Sequence, residues 1–165
     1  MSAIRIFLAV LVHMTSLHAQ NADAVKHKFV GTWKLISYVR EEIPSGIKTE
    51  TMGPHPSGYL IYTAGGRMMA IFTSTDRHKP AVADPTPRES EELYKSLVSY
   101  TGTYTVQADK IIHHVDVSWN ETWTGTEQTR FYKFDGDRLS LATTPSLDPV
   151  EGKMSVRTLV WERVK

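Results

Sequence analysis

An all-β chain, closed into an antiparallel up-and-down barrel of about eight strands with one short amphipathic helix, is the architecture this sequence predicts. Three observations carry that expectation. Short segments rich in β-branched and aromatic residues recur along the chain with side chains alternating at period two. Glycine and aspartate turns separate them, among them Ala64-Gly65-Gly66 and Asp135-Gly136-Asp137. Only one stretch carries both a helix cap and an apolar stripe. A barrel of eight strands is just wide enough to hold one small ligand or to be filled by its own side chains.

The elements follow in order. Phe29 to Val39 reads as the first strand, and the Pro- and Gly-rich residues 44–57 as a loop. Gly58 to Thr63 and Arg67 to Thr73 form a hairpin about the glycine turn. Thr86-Pro87-Arg88-Glu89 places a hydroxyl at the cap, proline at the first helical position and a glutamate behind it, which opens a surface helix to about Val98. Strands then resume at Tyr100 to Val106, Lys110 to Trp119, Thr126 to Phe134, Arg138 to Thr143 and Ser155 to Val164.

Composition narrows the function classes. The chain has 165 residues, room for one domain with a real core. With 19 Lys and Arg against 18 Asp and Glu there is no single-sign field to attract nucleic acid. No cysteine is present, so disulfides and thiolate metal sites are excluded. Arg5 ahead of the apolar run Ile6 to Val12, with Ala19 closing Leu17-His18-Ala19, predicts a signal peptide over residues 1–19 and a mature domain over 20–165. The apolar run is too short for a permanent membrane span. Secretion, or a periplasmic location in a bacterium, is the expected fate. Asn120-Glu121-Thr122 is an N-glycosylation acceptor sequence placed in a turn.

The unusual side chains gather between Ile111 and Phe134. Adjacent strand residues point to opposite faces, so His113 and His114 cannot ligate one metal together; no metal and no cofactor is expected. One parity sends His114 and Asp116 inward, the other His113, Val115 and Val117. The next strand offers Gln128, Arg130 and Tyr132 against Glu127 and Phe131. We expect His114, Arg130 and Tyr132 to face the lumen, with Glu127 near the barrel end and Tyr62, Met69 and Trp123 as apolar wall. Arg130 would orient an anion or carbonyl and, in an empty barrel, pair with Glu127 or Asp116.

Gly31-Thr32-Trp33, Gly58-Tyr59-Leu60-Ile61-Tyr62, Gly102-Thr103-Tyr104, His113-His114-Val115, Gly125-Thr126-Glu127-Gln128-Thr129-Arg130-Phe131-Tyr132, Asp137-Arg138-Leu139 and Val160-Trp161-Glu162-Arg163 occur in that order. The series resembles the small lipocalin-like domain family from about Val30 to Val164. Where that family has Pro-Asn-Trp, this chain reads Trp119-Asn120-Glu121-Thr122-Trp123. The resemblance implies a calycin-type barrel in which Trp33 and Arg163 stack to close one end, a structural role. It also implies small hydrophobic ligands for some relatives, and cyclisation or isomerisation of natural-product intermediates for others.

Three functions therefore stand at this point. One is a secreted protein holding a small apolar or aromatic molecule. A second is a cofactor-free isomerase or cyclase of secondary metabolism using His114, Glu127 and Arg130 as catalytic residues. The third is a filled barrel with a structural or interaction role.

Overall fold

The structure, a computed structural model, describes residues 25–148 and 151–165. The expected signal peptide and its cleavage point lie outside the described residues. Ten strands form one sheet: β1 (Gly31–Glu42), β2 (Lys48–Glu50), β3 (Ser57–Tyr62), β4 (Arg67–Thr73), β5 (Leu97–Val106), β6 (Lys110–Ser118), β7 (Glu127–Asp135), β8 (Arg138–Thr143), β9 (Ser146–Leu147) and β10 (Met154–Arg163). Eight of them close an antiparallel barrel in the order β1-β3-β4-β5-β6-β7-β8-β10, because β1 also pairs with β10 from Trp33↔Arg163 to Glu42↔Ser155. The short strands β2 and β9 only extend β1 and β10 beyond one rim.

One end is shut. Residues 25–29 are helical and insert Phe29, fully buried, against Tyr62, Tyr132 and Phe134 in edge-on contacts 4.8 to 5.4 Å between ring centres. Phe29 is therefore a plug residue and not the start of the first strand, which begins at Gly31. The Phe29 carbonyl also accepts the Trp33 indole N–H at 2.8 Å. Arg163 lays its guanidinium 4.1 Å over the Trp33 ring and donates to the carbonyls of Val30 and Lys28. A cation over a buried indole with its remaining donors satisfied by backbone is a stable closure.

Helix α1 (Pro87–Lys95) has the expected capping box: Thr86 Oγ1 accepts from Glu89 N–H, and the Glu89 carboxylate accepts from Thr86 N–H. It buries no residue and stops at Lys95, short of Val98. Leu97 and Val98 belong to β5 instead, where Val98 pairs with Phe72 and turns inward. Among the described residues no helix is long and apolar enough to cross a membrane.

Two irregularities decide which side chains enter the lumen. A bulge between Leu35 and Ser37 shifts parity along β1, so Trp33 and Leu35 point inward before it and Tyr38, Arg40 and Glu42 after it. A second, on β6 opposite Thr101/Gly102, sits where the β5 and β6 backbones nearly touch. A Cβ on Gly102 would collide with the His114 carbonyl oxygen, so only glycine fits there.

Candidate functional site

Below the open rim the barrel holds a cavity of about 520 Å³. Leu60, Phe72, Val98, Leu141, Leu159 and Trp161 form its apolar wall. Trp119 and Trp123, stacked edge-on at 5.0 Å, line it from the β6–β7 connection, with Tyr100 a further 5.5 Å from Trp123. Tyr38, Gln128, Arg130 and Arg157 bring polar atoms to the same space.

Arg130 is the central charge. It is buried at 8 % exposure, donates to the Thr129 carbonyl at 2.9 Å and to Gln128 Oε1 at 3.4 Å, and hydrogen-bonds the Tyr100 hydroxyl. Among the described residues no carboxylate forms an ion pair with it. Arg157 differs, since its guanidinium is paired with Asp148 at 3.0 Å. Asp148 also takes Arg40 at 3.1 Å, and Arg40 reaches Glu151 at 2.9 Å. Lys153 binds Glu42 and holds its carboxyl below the usual carboxylate range. The rim cluster is thus self-compensating, while Arg130 is not.

Beside Arg130 runs a buried chain of rings. Tyr62 Oη lies 2.7 Å from His113 Nε2, and Tyr100 Oη lies 3.0 Å from His113 Nδ1. His113 is 1 % exposed. Burial first, then the Arg130 guanidinium and His114, push its pKa well below the ordinary 6.5, so it is a neutral imidazole. Burial raises the Tyr62 and Tyr100 hydroxyls, with Arg130 opposing the rise in both. A neutral imidazole between two phenols donates to one and accepts from the other. Among the described residues no group of three His, Cys, Asp or Glu is arranged to hold a metal ion.

A family model described as lipocalin-like domain matches residues 30–164. The chain belongs to the lipocalin-like domain family. No curated protein matches it. Its fold is similar to a lipocalin-like protein from Bacteroides uniformis ATCC 8492, at 14% identity and a TM-score of 0.44, covering 82% of this chain and 98% of that one. It is also similar to an uncharacterized protein from Bacteroides eggerthii DSM 20697, at 15% identity and a TM-score of 0.41, covering 82% and 99%.

Within this lipocalin-like barrel the residues singled out from the sequence separate into three groups. Arg130 and Trp123 line the cavity. Tyr62 and Tyr132 are inside but toward the shut end: Tyr62 on His113, Tyr132 packed on Phe29 with its hydroxyl donating to the Gln107 and Ala108 carbonyls. His114, Glu127, Asp116 and Met69 are on the outer face. His114 pairs there with Glu127 at 3.0 Å and Thr105 at 2.9 Å, Asp116 with Arg67, and Met69 is 48 % exposed.

The expectation that His114 faces the lumen is corrected by β6, where Ile111, His113 and Val115 are the buried set. Likewise neither Glu127 nor Asp116 reaches Arg130. The signal was present: of the two faces of this strand, the one with Ile111, Val115 and Val117 is the more apolar. Asn120 sits at the cavity mouth, its Oδ1 accepting from the N–H and hydroxyl of Thr122. Missed entirely were Tyr38, Tyr100, Arg157 and Trp161. The bulge on β1 hid Tyr38, and the other three look like ordinary strand residues.

Proposed function

We propose that the protein binds a small, mainly apolar molecule carrying an anionic group, with that group on Arg130. The observation that carries the reading is a buried, cavity-facing arginine with no carboxylate partner among the described residues. A desolvated guanidinium left uncompensated is costly, and a ligand carboxylate, sulfonate or enolate supplies the missing charge bidentately. Wall aromatics and a volume of about 520 Å³ suit a ring-bearing ligand of modest size. That volume argues against a barrel filled by its own side chains.

The test uses two probes that differ by one charge. Anilinonaphthalene sulfonate should bind about tenfold or more tightly than neutral N-phenylnaphthylamine, followed by probe fluorescence and by quenching of Trp119, Trp123 and Trp161. Arg130→Met should reduce the ratio to near one. Equal affinities in the wild type refute the proposal. Export belongs to the same reading: the secreted protein should begin near Gln20, and an intact Met1 or Ser2 on secreted material would contradict it.

The Tyr62–His113–Tyr100 chain favours a second reading, a cofactor-free isomerase or cyclase. There Tyr100 would hydrogen-bond the substrate carbonyl, solvent water entering the cavity would take the α-proton, and Arg130 would hold the resulting enolate, in place of His114 and Glu127. Exchange of the α-hydrogen of an aryl keto acid in D₂O, followed by proton NMR, should be faster with wild type than with Tyr100→Phe. No acceleration over buffer sinks this alternative.

A further inference from the structure

Two arginines, not one, reach the cavity at the same level. Arg130 on β7 pairs with Thr143 on β8, and the Arg157 N–H on β10 donates to the Thr143 hydroxyl at 3.1 Å from the other side. All three residues line the cavity. Neighbouring strands lie about 4.8 Å apart, so the two arginines start about 10 Å from each other across the sheet. A group bound between them is within reach of both long side chains.

Tyr38 shares this space, on β1 just below Arg40, which pairs with Arg157. Burial pushes its hydroxyl pKa up, and Arg157 and Arg130 both oppose the rise, so the phenol lies in the field of both guanidiniums. The Tyr38 hydroxyl has no hydrogen-bond partner among the described residues, and neither has the Arg157 Nε–H. Nor are these atoms among the unpartnered ones closed off from solvent, which are Arg40 Nε, Ser155 Oγ and Trp161 Nε1. Both donors are therefore accessible, on residues that line the cavity.

Charge and geometry make different demands here. Arg157 donates to Asp148 at 3.0 Å and to Ser146 Oγ at 3.3 Å, and Glu42 and Glu151 match the remaining rim cations. Only the Arg130 charge lacks a carboxylate in this cavity among the described residues, so the site calls for one negative charge. The donors outnumber what one planar anion uses. A carboxylate lies in a plane and pairs edge to edge with a single guanidinium. A tetrahedral atom bearing three oxygens meets Arg130 with two of them and presents the third to Arg157 Nε–H and Tyr38.

Resting on the reading that Arg130 takes the anionic group, we infer that this group is a tetrahedral monoanion, a sulfonate or a sulfate ester, clamped between Arg130 and Arg157 and hydrogen-bonded by Tyr38.

The experiment is calorimetric titration at about pH 8 with naphthalene-2-sulfonate, 2-naphthyl sulfate, 2-naphthoate and 2-naphthyl phosphate, the last a dianion at that pH. The sulfur anions should bind about fivefold to tenfold more tightly than the naphthoate. The phosphate, with the shape of the sulfate and twice its charge, should gain nothing over it. The tighter of the two sulfur anions names the ester or the sulfonate as the form that fits, and either supports the inference. Arg157→Met should bring the ratio of sulfonate to naphthoate affinity near one, and Tyr38→Phe should lower it. The ratio is the readout, whatever each variant does to the separate affinities. In wild type, the Arg157 ¹⁵Nε–¹H resonance should move further downfield with sulfonate than with naphthoate, a measurement that needs no variant to fold. Naphthoate binding as tightly as both sulfur anions, phosphate binding more tightly than sulfate, a ratio that survives Arg157→Met or Tyr38→Phe, or an Arg157 resonance that moves no further with sulfonate each overturns the inference while leaving the Arg130 reading intact. If none of these ligands binds the wild type, the Arg130 reading is refuted, and this inference with it.

Discussion

Replacing His113 with phenylalanine probes the buried ring chain directly. Phenylalanine fills the site but leaves Tyr62 and Tyr100, at 1 % and 7 % exposure, without the imidazole partner that each holds. An unsatisfied buried hydroxyl costs about 1–3 kcal/mol, so the pair costs about 2–5 kcal/mol once partial relaxation is allowed. For a domain of this size that is a fall of about 5–20 °C in melting temperature. The double variant with Tyr62→Phe should recover part of the loss, because one orphaned hydroxyl goes with it.

The same residue sets a pH dependence. His113 has a folded-state pKa well below the ordinary 6.5, so below that pH the unfolded chain binds a proton that the folded one refuses. Stability is therefore fully present well above pH 6.5 and is lost as pH falls toward the folded-state pKa, with a limiting slope of about 1.4 kcal/mol per pH unit. Denaturant melts across that range should show this slope in wild type and its reduction by about one proton in His113→Phe. A variant that melts like wild type, with an unchanged pH slope, would show that the chain is not the buried neutral network described.

Three further outcomes test the fold around the site. Trp33→Ala should lose about 3–5 kcal/mol in denaturant melts and keep its affinity for anilinonaphthalene sulfonate wherever it remains folded, since Trp33 sits beneath Arg163 and outside the cavity lining. Thr86→Ala should lose about 1 kcal/mol, read as a small drop in melting temperature with no change in probe binding. Gly102→Ala should abolish soluble expression or lower the melting temperature sharply, because its Cβ would strike the His114 carbonyl across the β5–β6 ladder; a variant that expresses and melts like wild type would refute the close approach.

The eight barrel strands were legible because alternation and glycine turns are local signals, and Ala64-Gly65-Gly66 and Asp135-Gly136-Asp137 do turn the chain where they should. Arg130 was legible as a cavity residue because β7 alternates without interruption. His113 was not chosen over His114 because polarity was weighed above the apolar company of Ile111 and Val115, and packing decides parity in a closed barrel. Tyr38 and Arg40 were hidden by the β1 bulge, which local alternation does not announce. Trp161 looked like a core residue. That its N–H has no partner among the described residues shows only in three dimensions.

The account stands or falls on Arg130 being held uncompensated for a ligand, and thermal melting of wild type and Arg130→Met with and without anilinonaphthalene sulfonate measures this most directly. Removing a buried charge that has no carboxylate partner among the described residues should leave the ligand-free variant at least as stable as wild type. Probe at 100 times its dissociation constant should add about 2.7 kcal/mol to wild type, a rise of about 5–10 °C, and almost nothing to the variant. A variant that melts well below wild type without probe, and gains as much from the probe as wild type does, would contradict the account.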